Sequence, residues 1–417
     1  MAAARDLLAK ARSLIATVRA HPVLNPVART ELAIDRARRH PVDPDHLPHL
    51  TEAIEWLCRA QDATKSGGFA RGYSLAFNPY FRSSGWQPAY PETTGYIIPT
   101  LLEASRELGD ASLADRALRA ADWEIDLQLE TGAVQGGVVG EGRSPAVFNT
   151  GQVIFGWLAA WEHAGNDKHL AAADRAARWL VEVQESDGLW RKGNSRFALS
   201  APTLYNARVA WALAEAGVAL ANPAFLQAAG RNLRAVANEA RTNGWLPHCC
   251  LTDPERPLLH TLAYTVRGLV EGGRVLGDSA ILDSGSRTAR ALVAAVKPDG
   301  RMSGRFNSDW RPAVPWSCLT GEVQMANNWM RLATITGDSH WLEPVESVIR
   351  FVKSTQNRVV RHEGLRGGIK GSWPVDGDYG RFELLNWAAK YFVDALIRSR
   401  QLAEGRASDR KQAYRLA

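Results

Sequence analysis

Apolar residues recur along the chain at the spacing of an α-helix, in two alternating kinds of segment. The first kind, near residues 46–64, 110–129, 167–185, 223–242, 278–296 and 338–356, carries one apolar stripe with Arg and Asp opposite, as from Leu113 to Leu129. The second, near 93–107, 149–164, 203–220, 259–275, 318–335 and 383–399, is apolar nearly all round, as from Val153 to Ala160. A single stripe suits a helix at the surface, and apolar residues on every side place a helix among neighbours. The chain therefore reads as six helical hairpins, each with an outer and an inner member.

Punctuation agrees with this division. Gly109-Asp110, Gly165-Asn166, Ala221-Asn222, Gly277-Asp278 and Gly337-Asp338 follow one another at steps of 56, 56, 56 and 60 residues. Glycine in the left-handed position ends a helix, and Asp or Asn begins the next, so each mark is the tight end of a hairpin. Between the marks lie longer connections: Gly67-Gly68-Phe69, Gly136-Gly137, Asp187-Gly188-Leu189-Trp190, Asn243-Gly244-Trp245, Asp299-Gly300-Arg301 and Gly367-Gly368. All the long loops fall on one face. The pattern predicts an all-α chain, an (α/α)6 toroid over residues 46–400, preceded by an N-terminal helical cap (1–45) and followed by a polar tail (401–417).

At 417 residues, with 46% hydrophobic and 23% charged, the chain has material for one large core. Its apolar runs fall short of the ~20 residues that span a bilayer. The first twenty residues spread Arg5, Lys10, Arg12 and Arg19 among Ala and Leu, with Asp6 the only acid. They read as an amphipathic helix capping the toroid, with a transit peptide as the alternative. Cys58, Cys249, Cys250 and Cys318 lack CxxC spacing, which fits thiols in a reducing compartment and a cytoplasmic location. The net charge of +6 is scattered over helix faces, which disfavours nucleic acid and leaves an anionic ligand allowed.

Particular segments add a likeness. Ser317-Cys318-Leu319-Thr320-Gly321-Glu322-Val323-Gln324, Thr336-Gly337-Asp338, Gln356, Gly367-Gly368-Ile369-Lys370-Gly371-Ser372-Trp373-Pro374 and Asn386-Trp387-Ala388-Ala389-Lys390-Tyr391-Phe392 resemble the C-terminal half of uncharacterised proteins associated with bacterial extracellular polysaccharide synthesis. They are more distantly similar to the C-terminal domain of glucuronyl C5-epimerases. The hairpin pattern as a whole resembles the six-hairpin toroid superfamily of glycoside hydrolases, polysaccharide lyases and sugar epimerases. Two other toroids fit less well. Gln184 to Trp190 looks like the turn of squalene and hopene cyclases, but the acidic Asp-x-Asp-Asp run is missing and Asp376-Gly377-Asp378 only echoes it. Pro315-Trp316-Ser317-Cys318 with His248-Cys249 departs in spacing and order from the zinc ligands of lanthionine cyclases, so neither metal nor cofactor is expected.

In such a toroid the long loops and the first turns of the inner helices line a funnel. That filter selects Trp86, Tyr90, Glu92 and Tyr96; Asn149 and Gln152; Tyr205, Asn206 and Arg208; His260, Tyr264 and Arg267; Trp316, Glu322 and Gln324; and Asp376, Asp378, Tyr379, Arg381, Glu383 and Asn386, with Trp373 on a neighbouring loop. Aromatic faces pack on sugar C–H faces, amide and guanidinium forks bind hydroxyls and carboxylates, and acids move protons. Glu92, Glu383, Asp378, Tyr264 and His260 are the catalytic candidates and the others, Tyr90 and Asp376 apart, substrate-binding ones. Each has a structural alternative: helix capping for Glu92 and His260, turn chemistry for Asp376 and Asp378, loop wedging for the tryptophans. Arg208 and Arg267, on apolar helices, need either a ligand or an acid such as Glu92, Glu322 or Glu383. The residues and the resemblance together lead to an enzyme processing a polysaccharide or oligosaccharide by glycoside hydrolysis with paired carboxylates. Uronate C5-epimerisation or β-elimination is one alternative, and a non-catalytic glycan-binding or assembly protein of polysaccharide biosynthesis another.

Overall fold

The computed structural model describes residues 14, 15, 18, 21, 22, 24–37, 40–199 and 202–406. Most of the predicted N-terminal amphipathic helix, and the tail beyond residue 406, lie outside them. Helix α1 (Pro26–Ala37) precedes the outer helices α2 (Leu47–Asp62), α4 (Ala111–Leu127), α6 (Asp167–Glu182), α8 (Pro223–Asn238), α10 (Ser279–Val293) and α12 (Val345–Lys353). The inner helices are α3 (Pro91–Leu108), α5 (Val147–Ala164), α7 (Ala207–Ala219), α9 (Leu259–Leu276), α11 (Leu319–Thr336) and α13 (Asn386–Ala403).

The hairpin ends form as the punctuation requires. Gly109, Gly165, Gly277 and Gly337 take φ of 68°, 65°, 65° and 72°, and Ala221 takes the same left-handed place at 49°. The next residue caps each following helix: the Asp110, Asn166, Asn222, Asp278 and Asp338 side chains accept from the Ser112, Lys168, Ala224, Ile281 and His340 amides. The sixth outer segment departs from the prediction of one helix. Pro344 has no amide hydrogen to donate back into the preceding turn, and the segment splits into a 3-10 turn (Ser339–Leu342) and α12.

Each inner helix packs on the next, and α13 packs on α3, so the ring closes. The approach is close between α3 and α5, where a Cβ on Gly95 would lie 2.5 Å from the Val153 Cα. Repeated glutamines staple the outer ring. Gln61, Gln128 and Gln184 each donate from Nε2 to a glycine carbonyl of the following long loop and to a carbonyl of the next outer helix. Gln356 does the same across the seam, to the Gly367 and His49 carbonyls.

The long-loop face holds short strands that helical periodicity did not predict. β1 (Gly72–Asn78) pairs antiparallel with β2 (Ser83–Trp86) and with β5 (Glu383–Leu385), and β3 (Ser317–Cys318) pairs with β4 (Ser372–Trp373). Glu383 therefore stands on a strand opposite Ser74, not in the first turn of the last inner helix, which begins at Asn386. Helix α1 docks on this face through Lys370, whose Nζ lies 2.6 Å from both Glu31 Oε1 and Asp35 Oδ1.

Candidate functional site: a ring-walled funnel

Pro91 and the extended backbone of Tyr90 start α3, which puts Glu92 in its first turn. The Tyr90 hydroxyl donates to Glu92 Oε2. Burial pushes the Glu92 carboxyl up to about 7, against the pull of that hydrogen bond and of the Arg71 and Arg208 charges. The side chain keeps a half-buried face, and its carboxyl can take up and release a proton near neutral pH.

Rings line the rest of the funnel. Phe148 packs edge-on against Tyr205 at 5.0 Å and on Tyr264 at 5.1 Å; His260 sits 4.4 Å from Tyr264, 5.6 Å from Tyr379 and parallel to Trp387 at 6.5 Å. Burial lowers His260 to about 4, so its imidazole is neutral. Its Nδ1 lies 2.7 Å from Gln324 Oε1, which can only accept, so Nδ1 carries the proton and Nε2 the lone pair. Burial drives the Tyr90, Tyr96, Tyr264 and Tyr379 phenols well above their ordinary value, so they act as neutral hydrogen-bonding groups.

Glu383 is fully engaged. Its carboxylate accepts from Arg71 (3.2 Å), Gln87 (2.6 Å), Ser74 (3.5 Å) and Asn78. The consequence is positional: Arg71 is held over the Trp387 ring at 4.9 Å and 5.5 Å from the Phe81 ring, beside Glu92. Asp378 and Arg381 are exposed on the loop ahead of β5, and Asp376 pairs with Arg36 of α1 at 2.5 Å.

The remaining candidates divide between bracing and the toroid axis. Asn149 donates to the Gln135 carbonyl, Asn206 to Thr203, and Asn386 to the Ala70 carbonyl and Thr93, all tying loops to helix starts. Trp86 packs on Trp56 of α2, Trp373 on Phe351 of α12, and Trp316 over Gly304 and Gly377, which is loop wedging. Glu322 is fully buried, accepts the Met302 amide at 2.8 Å, and burial raises its carboxyl well above the ordinary value. Among the described residues, Arg208 forms no ion pair with Glu92, Glu322 or Glu383. Arg267 pairs with Glu271 at 3.2 Å, and Arg208 donates from Nε to Gln152 Oε1 at 2.6 Å inside a cage of rings, with Tyr96 on one side.

The structure thus gathers Glu92, Tyr90, Tyr205, His260, Tyr264, Gln324 and Tyr379, and adds Arg71, Phe148 and Trp387. Phe148 and Trp387 stand in the first turns of their helices and were within reach of the funnel filter. Arg71 precedes a strand, where a filter on helix starts does not look. Among the described residues no group of three His, Cys, Asp or Glu side chains could hold a metal ion, and no helix is long and apolar enough to cross a membrane.

No protein-family model matches the chain. A search of curated proteins finds no match either. Solved structures do match. An unsaturated glucuronyl hydrolase specific for heparin superposes with a TM-score of 0.68 at 17% identity, over 85% of this chain and 97% of that one. The unsaturated glucuronyl hydrolase from Bacillus sp. GL1, responsible for the degradation of glycosaminoglycan, gives 0.66 at 15% identity, covering 86% and 97%. The cellobiose 2-epimerase from Bacillus thermoamylovorans B4167 gives 0.64 at 12% identity, covering 89% and 100%. At such identities the likeness is one of fold, and the fold of this chain is the (α/α)6 toroid on which these sugar-processing proteins are built.

Proposed function

We propose that the protein is a carbohydrate-active hydrolase that takes the end of an anionic oligosaccharide into its funnel, with Glu92 as the proton donor. The observation that carries this reading is the setting of Glu92: a carboxyl held near 7, hydrogen-bonded by Tyr90, beside Arg71 and facing a wall of rings. End-on entry follows from the closed axis, where Tyr96, Tyr264, Arg208, Lys390 and Tyr391 are at most 4% exposed. Above the funnel the rings continue outward from Phe81 to Tyr80 at 5.0 Å and from Tyr80 to Phe197 at 6.2 Å, a path along which further sugars can stack.

Hydrolysis by two carboxylates needs both free to act. Glu383 is tied down by four donors, which favours a reaction that one acid can run. Hydration of an unsaturated uronyl enol ether is such a reaction: the acid protonates the double-bond carbon, water adds to the resulting oxocarbenium, and the hemiketal opens to release the next sugar. Arg71 supplies positive charge for the uronate. A cytoplasmic site of action, and a place in the handling of extracellular polysaccharide, belong to the same proposal.

The test is to incubate the protein with unsaturated uronyl disaccharides, with saturated oligosaccharides, and with uronates in D2O. We expect loss of the ultraviolet absorbance of the unsaturated sugar, reduced by about 10²–10⁴-fold in Glu92→Gln. New reducing ends from saturated substrates alone would restore ordinary glycoside hydrolysis. Deuterium at C5 alone would mean epimerisation, and binding without turnover would mean a glycan-binding protein.

A further inference from the structure

Below the rings, on the toroid axis, Arg208, Arg267, Gln324, Asn327, Asn328 and Tyr391 are among the residues that line a cavity of about 10 Å³, room for one water-sized particle. Arg208 is 1% exposed, and among the described residues its Nη2 has no hydrogen-bond partner; neither has the buried Tyr391 hydroxyl. The ring faces of Tyr264, Phe155 and Trp211, 5.1–5.2 Å from the guanidinium carbon, attract its charge but do not accept the Nη2 hydrogens in its plane. The carboxylates nearby are engaged elsewhere. Glu271 is shared by Arg267 (3.2 Å), Arg331 (2.7 Å) and Arg274 (2.8 Å), and Asp394 is taken by Lys390 (2.6 Å). Arg274 also reaches Glu215 at 3.3 Å, so four cations share three carboxylates, and among the described residues Arg208 forms an ion pair with none of them. Burial and the charges of Arg208 and Arg267 push Lys390 down to about 7 despite Asp394, as expected where positive charge is in excess.

We propose that this cavity binds one small monovalent anion, a halide such as chloride, held by Arg208 Nη2, the Tyr391 hydroxyl and the positive field of Arg267 and Lys390. Such an ion would neutralise the axis beneath the funnel and fix the Arg208 guanidinium, and with it the floor on which Tyr96 and Tyr264 rest. Water is the competing occupant, because it can also donate to the buried Asn327 Oδ1, which a halide cannot.

The test compares the protein in halide-free buffer with samples titrated with sodium chloride or bromide, ionic strength being held with gluconate, which is too large to enter. We expect Tm to climb with the logarithm of halide concentration, by about 4 °C at roughly a hundred times the dissociation constant. Crystals grown in bromide should show an anomalous peak within hydrogen-bonding distance of Arg208 Nη2. Tyr391→Phe, which keeps the ring, should raise the halide concentration needed for a given rise in Tm about tenfold. Equal Tm in halide and gluconate, a cavity holding water alone in the bromide crystals, or the same halide dependence of Tm in Tyr391→Phe would each overturn the proposal. None of these readouts depends on the substrate.

Discussion

A carboxylate in the first turn of a helix is favoured by the helix dipole, yet Glu92 sits near 7 because burial among tyrosine rings outweighs the dipole, Tyr90 and two arginines. With Glu92 as donor, the protonated form is active, so kcat/KM should fall as pH rises through about 7. The same shift has a cost in stability. The folded chain holds this proton more tightly than the unfolded one, so the stabilisation is complete below the ordinary value of 4.5 and is lost as pH rises through about 7. Glu92→Gln should therefore lose most activity but gain stability relative to the parent on going from pH 5 to pH 8, seen in urea melts at both pH values. Glu383 has the opposite role. Glu383→Ala would strand Arg71, Gln87 and Asn78 and should destabilise by about 3 kcal/mol. Glu383→Gln keeps the shape and removes the charge that offsets Arg71, so Glu92 should ionise more readily and the kcat/KM midpoint should move to lower pH. An unmoved midpoint would make Glu383 purely structural.

At the level of elements, periodicity was a good guide to helices because apolar spacing and the Gly-Asp marks act locally. The strands were not legible: β5 has three residues, and it pairs with β1 some 300 positions earlier, so no local pattern announces it. Glu92, His260, Tyr205 and Tyr264 were found because they stand at helix starts, whereas Arg71 was missed because a strand pair brings it in. Lys390 was not singled out, because only the packing of α13 puts it on the axis. The hairpin marks themselves are testable. Ala221 holds φ of 49°, a conformation costly for a residue with a Cβ, while nothing lies within 4 Å of a Cβ built on Gly337 at the equivalent turn. Ala221→Gly should stabilise, and Gly337→Ala destabilise, each by about 0.5–1 kcal/mol in chemical denaturation. Equal and opposite signs would show that backbone conformation, not packing, sets the cost.

In the whole molecule, ring closure removes the ends at which a stack of hairpins frays. Five of the six hairpin contacts join chain neighbours, but the sixth, where α12 and α13 meet α2 and α3, joins segments about 300 residues apart. Gln356 works this seam with two donated bonds and an acceptor 2.6 Å from His49 Nδ1, and His46 meets Ser399 of α13 at 3.1 Å. Burial lowers both histidines to about 4. They fold neutral, so their contribution is present above the ordinary value of 6.5 and is lost as pH falls toward 4. Gln356→Leu should cost about 2–3 kcal/mol and lower amide protection in α2 and α13 together. Gln184→Leu loses the same two donated bonds between chain neighbours and should leave α2 and α13 protected. Lowering the pH of the parent from 7 to 5 should expose the same two helices first. If protection instead falls evenly around the ring, the seam is no weaker than the other contacts, and closure is held by the inner helices alone.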